Sequence, residues 1–208
     1  STTLAALLDE VNHTRGDHIV TIEDPIEYVF TQDRGIISQR EVGSDTLTFH
    51  DGLRTLLRQD PDVVMIGEMR DTESISTSMT SAETGHLVFS TLHTNSASQT
   101  IDRIIDVFPP YQQSQVRLQI SLFLKGIISQ QLLASTSGGR VAAREVLINS
   151  PAIANLIREN KVPQIKTAIQ TSAEEGMFTM DQNIKKLYLD GVVSEETALA
   201  YMATPSEL

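Results

Sequence analysis

Acidic side chains follow two short apolar runs that are typical of β-strands. Glu23, Asp24 and Glu27 come after the run HIVTI, and Glu68 follows VVMIG. Carboxylates in such positions can bind Mg²⁺ through water and orient a nucleophilic water, the tasks that phosphoryl transfer leaves to protein side chains. A glutamate after a hydrophobic strand is also often a solvated loop residue, so no single one of them decides the chemistry.

Two histidines bracket a third apolar run, HLVFSTLH, which begins at His86 and ends at His93. If the three strands are parallel neighbours, several of these groups converge on one edge of the sheet, where ligands collect in open α/β folds. Each histidine alone is more often structural than functional. The functional hypothesis depends on the whole set occurring in order along the chain.

The first helix places a hydroxyl at its start. Ser1 is a favoured N-cap residue, and apolar residues recur behind it at helical spacing, at Leu4, Leu7, Leu8 and Val11. The segment STTLA also matches the end of a phosphate-binding loop G-x-x-x-x-G-K-[ST], whose hydroxyl residue binds Mg²⁺. The alternative is an ordinary first helix headed by a serine that removal of an initiator methionine has exposed.

Predicted strands alternate with predicted helices before Pro109 and Pro110. The strands cover residues 18–22, 35–42, 62–68 and 86–92. This alternation predicts an α/β fold with a mostly parallel sheet. The helical segments between the strands include one that Thr48 is expected to cap.

The pattern changes after the two prolines. A long helix is predicted over residues 111–133, followed by a hairpin around Gly138 and Gly139, and every segment from Pro151 onward is helical in pattern. We therefore predict an α/β domain over residues 1–148 and a small helical subdomain over residues 149–208.

Composition and charge exclude several classes of protein. The chain has 208 residues, no cysteine and a net charge of -11, so disulfides and thiolate zinc sites are excluded and a nucleic-acid partner is disfavoured. No apolar run approaches the roughly 20 residues of a membrane span, and no signal pattern opens the chain. We therefore expect a cytoplasmic protein with no direct membrane insertion. All five lysines lie beyond residue 124, so a phosphate-loop lysine is expected to lie outside this chain.

Three segments together resemble a known family. TIEDPIEYVF is similar to the Asp box, LRQDPDVVMIGEMRD to the Walker B segment and TGHLVFSTLHTNSA to the His box of the secretion ATPase superfamily, which powers type IV pili and type II secretion. The resemblance implies a RecA-like P-loop ATPase core. It also implies that STTLA is the tail of the Walker A loop, and that the preceding strand and most of that loop are absent from this chain.

The resemblance assigns roles to individual residues around ATP and Mg²⁺. Ser1 would be a Mg²⁺ ligand, with Glu27 contributing partly through water, and Thr2 would sit against the phosphates. Glu68 matches the catalytic glutamate that orients the attacking water. Gly67 stands where many other P-loop ATPases keep a metal-binding aspartate.

Further residues of these motifs complete the expected site. Glu27 also matches the Asp-box glutamate implicated in hydrolysis, and His86 and His93 match the two His-box histidines that face the nucleotide and the neighbouring subunit. The nucleotide-binding set is expected to include Glu23, Asp24 and Arg70 as well. Arg54 and Arg58 lie near these motifs and, like Arg70, are candidates for contact with phosphate or with a neighbouring subunit. Surface charge is the favoured explanation for each of the three.

The helical end favours the pilus retraction branch of the superfamily. Assembly ATPases usually insert a four-cysteine zinc module after the region matching SQQLL, and this chain has no cysteine there. The segment AIANLIRE is similar to a retraction-motor helix, with Ala154 in place of its first arginine. The resemblance implies a homohexamer that drives type IV pilus retraction through an inner-membrane platform protein, at the cytoplasmic base of the pilus machine.

Three alternatives remain open at this point. The chain could belong to an assembly or type II secretion ATPase without the zinc module, to a non-catalytic docking module, or to a DNA-directed RecA-like ATPase, which the net charge of -11 disfavours. The 208-residue chain alone is expected to bind nucleotide poorly and to be inactive, because it lacks the glycine-rich loop and its lysine.

Overall fold

The computed structural model describes all residues from 1 to 208 and divides into two compact units, Ser1–Leu92 and His93–Leu208. Each unit has its own hydrophobic core. No helix in the chain is long and apolar enough to cross a bilayer.

The first unit contains the predicted α/β pattern, except that no helix separates β1 from β2. Its elements are α1 (Thr2–Thr14), β1 (His18–Glu23), β2 (Ile36–Glu41), α2 (Phe49–Leu56) with a 3-10 turn at Leu57–Gln59, β3 (Val63–Ile66), α3 (Thr72–Glu83) and β4 (Leu87–Ser90). Thr48 caps α2 as expected, since its side chain accepts a hydrogen bond from the Asp51 backbone N–H.

The four strands form one parallel sheet in the order β2-β1-β3-β4. In its register Ile22 lies beside Ile66, and Ile66 lies beside Ser90. All four strands therefore end at the same edge, and the loops that follow them emerge side by side. This carboxyl edge positions the predicted acidic residues.

Helices cover both faces of this sheet, and the side chains alternate accordingly. Ile19, Val63 and Met65 pack with Leu8 and Val11 of α1 on one face. On the other face, residues one position along the strands pack against α2, in a cluster of Val20, Ile22, Leu53, Leu56, Val64 and Ile66. Burial on both faces explains why these strands are continuous apolar runs.

The second unit combines helices with an antiparallel hairpin. Its elements are α4 (Ala97–Asp106), α5 (Pro110–Phe123), β5 (Gly126–Ala134), β6 (Arg140–Ile148), α6 (Pro151–Arg158), α7 (Ile165–Thr171), α8 (Met180–Leu189) and α9 (Glu195–Tyr201), with 3-10 turns at Val162–Gln164, Ala173–Glu175 and Pro205–Glu207. Gly138 and Gly139 both have positive φ in the hairpin turn, a conformation that favours glycine.

The predicted helix over residues 111–133 is wrong beyond Phe123. The chain leaves α5 there and enters β5, which pairs with β6 over its whole length, from Gly126 beside Ile148 to Ala134 beside Arg140. An apolar run such as GIISQQLLA fits either a helix or a strand, and pairing with a distant strand decides between them. The hairpin itself is confirmed, with a longer first strand than the sequence indicated.

The helices after residue 149 share a core with this hairpin. Leu133 of β5 and Ala143 of β6 pack with Met180 and Ile184 of α8 and Ala198 of α9. The compact units therefore divide the chain between residues 92 and 93, whereas the sequence pattern predicts a domain boundary between residues 148 and 149. That boundary concerns the subdomains of the family and stays a prediction.

Candidate functional site

Three of the predicted acidic residues lie at the carboxyl edge of the sheet in the first unit. Glu23 is the last residue of β1, Asp24 follows it, and Glu68 stands two residues after β3. The parallel register brings the ends of these two strands side by side. The expectation that carboxylates meet at one edge is therefore met for this set.

Glu68 is held by an arginine from its own loop. The Nε atom of Arg70 donates a hydrogen bond to Glu68 Oε2 at 2.6 Å. This bond, followed by the negative charges of Glu68 and Asp24, raises the pKa of Arg70 above its already high usual value. The loop thus carries a carboxylate and a permanently charged guanidinium in contact.

The loop after β3 begins with a glycine, Gly67, that lies close to the backbone of β1. Gly67 donates its backbone N–H to the carbonyl oxygen of Ile22 at 2.9 Å. A Cβ atom on Gly67 would lie 3.1 Å from the same oxygen, closer than side chains normally approach. The backbone therefore leaves no room for an aspartate at this position without a local shift.

The end of β4 fixes the same loop from the other side. Thr91 donates its hydroxyl to the carbonyl oxygen of Gly67 at 2.6 Å. The backbone N–H of Met69 in turn donates to the carbonyl oxygen of Thr91 at 3.1 Å. Glu68 lies between these two attachments.

The loop ends at a well-formed helix cap. Asp71 accepts a hydrogen bond from the Ser74 backbone N–H at 2.8 Å, and Ser74 completes a capping box. This bond is the largest cause of the lowered pKa of Asp71, and the charge of His50 also contributes. His50 lies 2.9 Å from Glu73 and 3.8 Å from Asp71, so its ring connects α2 with the start of α3.

The start of α1 lies beside the loop that follows β1. Thr2 Oγ1 and Tyr28 Oη are 2.7 Å apart. Ser1 and Glu27 are the immediate chain neighbours of these two residues, and both are exposed. The Ser1 side chain makes no capping hydrogen bond to its own helix.

The same loop is anchored to β2 by two polar side chains. Gln39 donates to the carbonyl oxygen of Tyr28 at 2.8 Å and accepts from the Phe30 backbone N–H. Glu41 accepts from the Ile26 backbone N–H at 2.9 Å. The peptide bond between Asp24 and Pro25 within this loop is cis.

Glu23 differs from the other predicted acids because it points into the structure. Its side chain is 8% exposed, and Oε1 accepts hydrogen bonds from Thr21 Oγ1 at 2.7 Å and Gln39 Nε2 at 3.1 Å. Because Gln39 also donates to the carbonyl oxygen of Tyr28, Glu23 helps to fix the loop after β1 through Gln39. Among the predicted nucleotide-binding residues, it is the one with the most evident structural role.

The two histidines lie on opposite sides of β4 in the chain. His86 precedes β4, so it lies at the amino edge, whereas the loop of Glu68 lies at the carboxyl edge. His86 Nδ1 is 2.9 Å from the carbonyl oxygen of Ser81 and 3.0 Å from Thr84 Oγ1. Several of the predicted groups converge on the carboxyl edge, and His86 is not one of them. His93 is the first residue of the second unit, before the N-cap of α4 at Ser96.

The start of α1 and the Asp-box loop offer oxygen atoms, the type of ligand that a magnesium ion prefers. The structure contains no group of three or more histidine, cysteine, aspartate or glutamate side chains that could hold a metal. Mg²⁺, however, takes few protein ligands and completes its shell with water and phosphate oxygens. The Ser1 hydroxyl and the Glu27 carboxylate are oxygen donors on segments joined by the Thr2–Tyr28 contact.

Several residues that shape the site were not singled out in the sequence. Thr91, Gln39 and Tyr28 each hold a loop that carries a predicted site residue. All three are polar groups next to or within strands and motifs that were recognised. The signal for Thr91 in the sequence is a hydroxyl directly after an apolar strand. The role of Gln39 can be seen only once the pairing of β2 with β1 is known.

The family model of the type II/IV secretion system protein matches residues 1–138. The chain belongs to the type II/IV secretion system protein family. The match includes the three motifs whose loops form the carboxyl edge described above. The assignment agrees with the resemblance found in the sequence.

Individual members of this family are highly similar to the chain. The type IV pilus retraction ATPase PilT of Pseudomonas aeruginosa is 54% identical over 198 residues, which cover 95% of this chain and 58% of PilT. A twitching motility protein of Neisseria gonorrhoeae is 51% identical over 199 residues, covering 95% of this chain and 53% of the relative. The chain thus spans just over half the length of these relatives.

A solved member of the family has the same fold. The crystal structure of the pilus retraction motor PilT with bound ADP matches all of this chain and 59% of its own, with a TM-score of 0.92 and 53% identity. Together with the parallel sheet, this match confirms the predicted RecA-like α/β fold.

Proposed function

We propose that this chain is the motor domain of an ATPase that powers type IV pilus retraction. The observation that carries the proposal is the carboxyl edge of the sheet, where Glu68 is held by Arg70 and by a loop fixed on both sides. A carboxylate in a rigid loop suits the task of orienting a water for attack on a phosphate. The names of the two relatives support retraction as the work that hydrolysis drives.

In this proposal ATP and Mg²⁺ bind at the start of α1. Ser1 and Glu27 would hold the ion, which supplies charge neutralisation on the phosphates when bound. Thr2 would contact the phosphates, with its hydroxyl oriented by Tyr28. Arg70 and Asp24 would bind the nucleotide beside Glu68. Catalysis would consist of positioning and charge stabilisation rather than covalent chemistry.

The histidines divide between two tasks in the proposal. His93 would face the nucleotide. His86, at the amino edge of the sheet, would serve the contact with a neighbouring subunit. This division is consistent with a ring in which nucleotide binds where two copies meet.

The assembly would be a homohexamer that acts on an inner-membrane platform protein from the cytoplasmic side. Force would be passed to that partner by direct contact between the two proteins. The ADP found in the PilT structure supports nucleotide as the ligand that drives the motion. Retraction rather than assembly is supported by the continuous β5–β6 hairpin, into which no zinc module is inserted.

Phosphate release from ATP and Mg²⁺ tests the proposal. The protein translated from the complete reading frame would be compared with its Glu68→Gln variant and with Glu10→Gln, an exposed glutamate of α1. Glu68→Gln should reduce turnover by at least a hundredfold while leaving ATP affinity nearly intact, and Glu10→Gln should change neither. Normal turnover of Glu68→Gln would refute the catalytic role.

A second comparison tests whether activity needs a phosphate-binding loop ahead of Ser1. The 208-residue chain should release no phosphate and bind ATP weakly. A protein extended ahead of Ser1 through the glycine-rich loop should bind ATP and release phosphate. Micromolar ATP affinity of the short chain by calorimetry would contradict this expectation. No activity in the extended protein at concentrations where it is hexameric would favour the non-catalytic docking module.

A further inference from the structure

Thr91 forms hydrogen bonds with the two peptide groups on either side of Glu68. Its hydroxyl donates to the carbonyl oxygen of Gly67 at 2.6 Å, and its carbonyl oxygen accepts from the backbone N–H of Met69 at 3.1 Å. The residue between these two attachments is Glu68. Thr91 is half-buried at the end of β4, within the same compact unit.

Two attachments one residue apart restrict the backbone of Glu68 itself. With the carbonyl before Glu68 and the N–H after it both bound to one residue, rotation about the Glu68 backbone bonds would break at least one hydrogen bond. The glutamate side chain then has a fixed origin, and Arg70 fixes its carboxylate end. A group that orients a water depends on such placement, because displacement by about 1 Å can cost a hundredfold in rate.

The two attachments respond differently to substitution. The bond from Met69 to the Thr91 carbonyl is a backbone bond that persists in every variant. The bond from the hydroxyl to Gly67 is lost in valine, which has nearly the same shape, and is kept in serine. Substitution at this position therefore isolates one of the two attachments without removing the strand.

Ser90 provides a natural control for this bond. Its hydroxyl donates to the carbonyl oxygen of Ile66 at 2.6 Å, the same distance as the Thr91 bond. Ile66, however, is the last residue of β3 and lies two positions before Glu68. Removal of the Ser90 hydroxyl removes an equivalent bond between the same two segments and leaves the peptide groups beside Glu68 untouched.

We infer that Thr91 is a positioning residue whose hydroxyl and carbonyl set the backbone of Glu68 and so aim its carboxylate at the attacking water. The inference rests on the proposed function, since it presumes that Glu68 acts on that water. Thr91 acts through the Gly67 and Met69 peptide groups rather than by touching nucleotide.

Steady-state ATP hydrolysis by the protein from its complete reading frame tests the inference. Thr91→Val should lower kcat at least tenfold with KM for ATP and ADP affinity changed less than twofold, and Thr91→Ser should restore kcat to within threefold. Ser90→Ala should keep at least half of kcat. Thr91→Ala provides a second removal of the hydroxyl should valine prevent folding, and thermal unfolding of each variant checks that Thr91→Val and Ser90→Ala lose similar stability.

Glu68→Gln, measured in the same series, separates the two hypotheses. If Glu68→Gln is inactive and Thr91→Val has the same kcat as Ser90→Ala, the positioning role is overturned while the proposed function stands. Failure of Thr91→Ser to restore kcat would also overturn the role of the hydroxyl. If Glu68→Gln hydrolyses ATP normally, the catalytic role of Glu68 fails, and the positioning role of Thr91 fails with it. If the unsubstituted protein releases no phosphate from ATP, the proposed function itself fails.

Discussion

The guanidinium of Arg70 holds the carboxylate of Glu68 through a 2.6 Å hydrogen bond within a single loop. The two residues are separated only by Met69, whose backbone N–H is bound to Thr91. The arginine also lies within the field of Asp24 on the neighbouring loop. One loop thus carries both Glu68, which is proposed to orient water, and Arg70, which is proposed to bind phosphate.

Replacement of Arg70 should reduce turnover because the carboxylate of Glu68 loses its partner. We expect Arg70→Ala to lower kcat by about ten- to a hundredfold. Arg70→Lys should not restore it, since a lysine cannot reproduce the directed N–H of a guanidinium. Arg15→Ala is the matched control, because Arg15 is exposed and pairs with Asp17 at 2.7 Å, just before β1 at the amino edge of the sheet. Unchanged kcat and KM in Arg70→Ala would contradict the assignment.

Gly67 should be intolerant of any side chain. A Cβ atom there would lie 3.1 Å from the carbonyl oxygen of Ile22, so Gly67→Ala should destabilise the fold by about 1–3 kcal/mol and displace Glu68. Gly16→Ala is the control, since its Cβ would meet nothing closer than 3.9 Å. Urea unfolding and phosphate release would be measured for both variants. Equal behaviour of the two would show that the loop adapts to a methyl group.

The first unit was largely predictable because β1, β3 and β4 are short apolar runs and its helices have clear starts. Thr48 and the run around Val63 were recognisable from local sequence alone. The β5 strand was not, because GIISQQLLA has no local feature that excludes a helix and its partner lies across a turn. Pairing between distant segments is the information that local patterns lack.

The candidate site shows the same division. Glu68 and Asp24 follow strands and could be found from motifs, whereas the placement of His86 depends on which end of β4 it occupies. The two histidines of the His box flank β4, one before the strand and one after it. The direction of β4 in the sheet decides that His86 lies at the amino edge. The supporting contacts of Thr91 depend on register and are invisible in one sequence.

The two histidines should therefore respond differently to substitution. His86 lies at the amino edge, separated from the end of β4 by roughly 13 Å of strand, and its ring contacts Ser81 and Thr84. We expect His86→Ala to leave ADP affinity within twofold of normal and to lower turnover only through weaker assembly. His93→Ala should lower kcat at protein concentrations where the ring is intact. Sedimentation and calorimetry on both variants would check this, and a large loss of ADP affinity in His86→Ala would refute it.

The cap of α3 should make a pH-dependent contribution to stability. The hydrogen bond from Ser74 lowers the pKa of Asp71 below its ordinary value of 3.8, so the carboxylate form stabilises the folded state. This contribution is present above the unfolded pKa and is lost as the pH falls through the lower folded pKa. Asp71→Ala should cost about 1 kcal/mol at pH 7. The stability advantage of the wild type over Asp71→Asn should shrink below pH 3.8 in urea unfolding curves, and an advantage that grows there would contradict the assignment.

A single buried carboxylate joins two helices to the hairpin of the second unit. Glu145 on β6 is 5% exposed and accepts hydrogen bonds from the first residues of α4 and α8, at 2.8 Å from Ala97 N and 3.4 Å from Met180 N. A negative charge at two helix starts also meets the positive ends of both helix dipoles. The residue therefore acts as a shared cap for elements that are far apart in sequence.

Removal of this carboxylate should destabilise the second unit more than an ordinary surface change. Glu145→Ala leaves two buried N–H groups without their acceptor and should lower the free energy of unfolding by about 2–4 kcal/mol. Glu145→Gln should be intermediate, because its amide oxygen can accept from one helix while its NH₂ group faces the other donor. Glu174→Ala, at an exposed position, should change stability by less than about 0.5 kcal/mol. Hydrogen exchange would locate the loss, and protection that falls at the starts of both α4 and α8 would distinguish a shared cap from a general loss of packing.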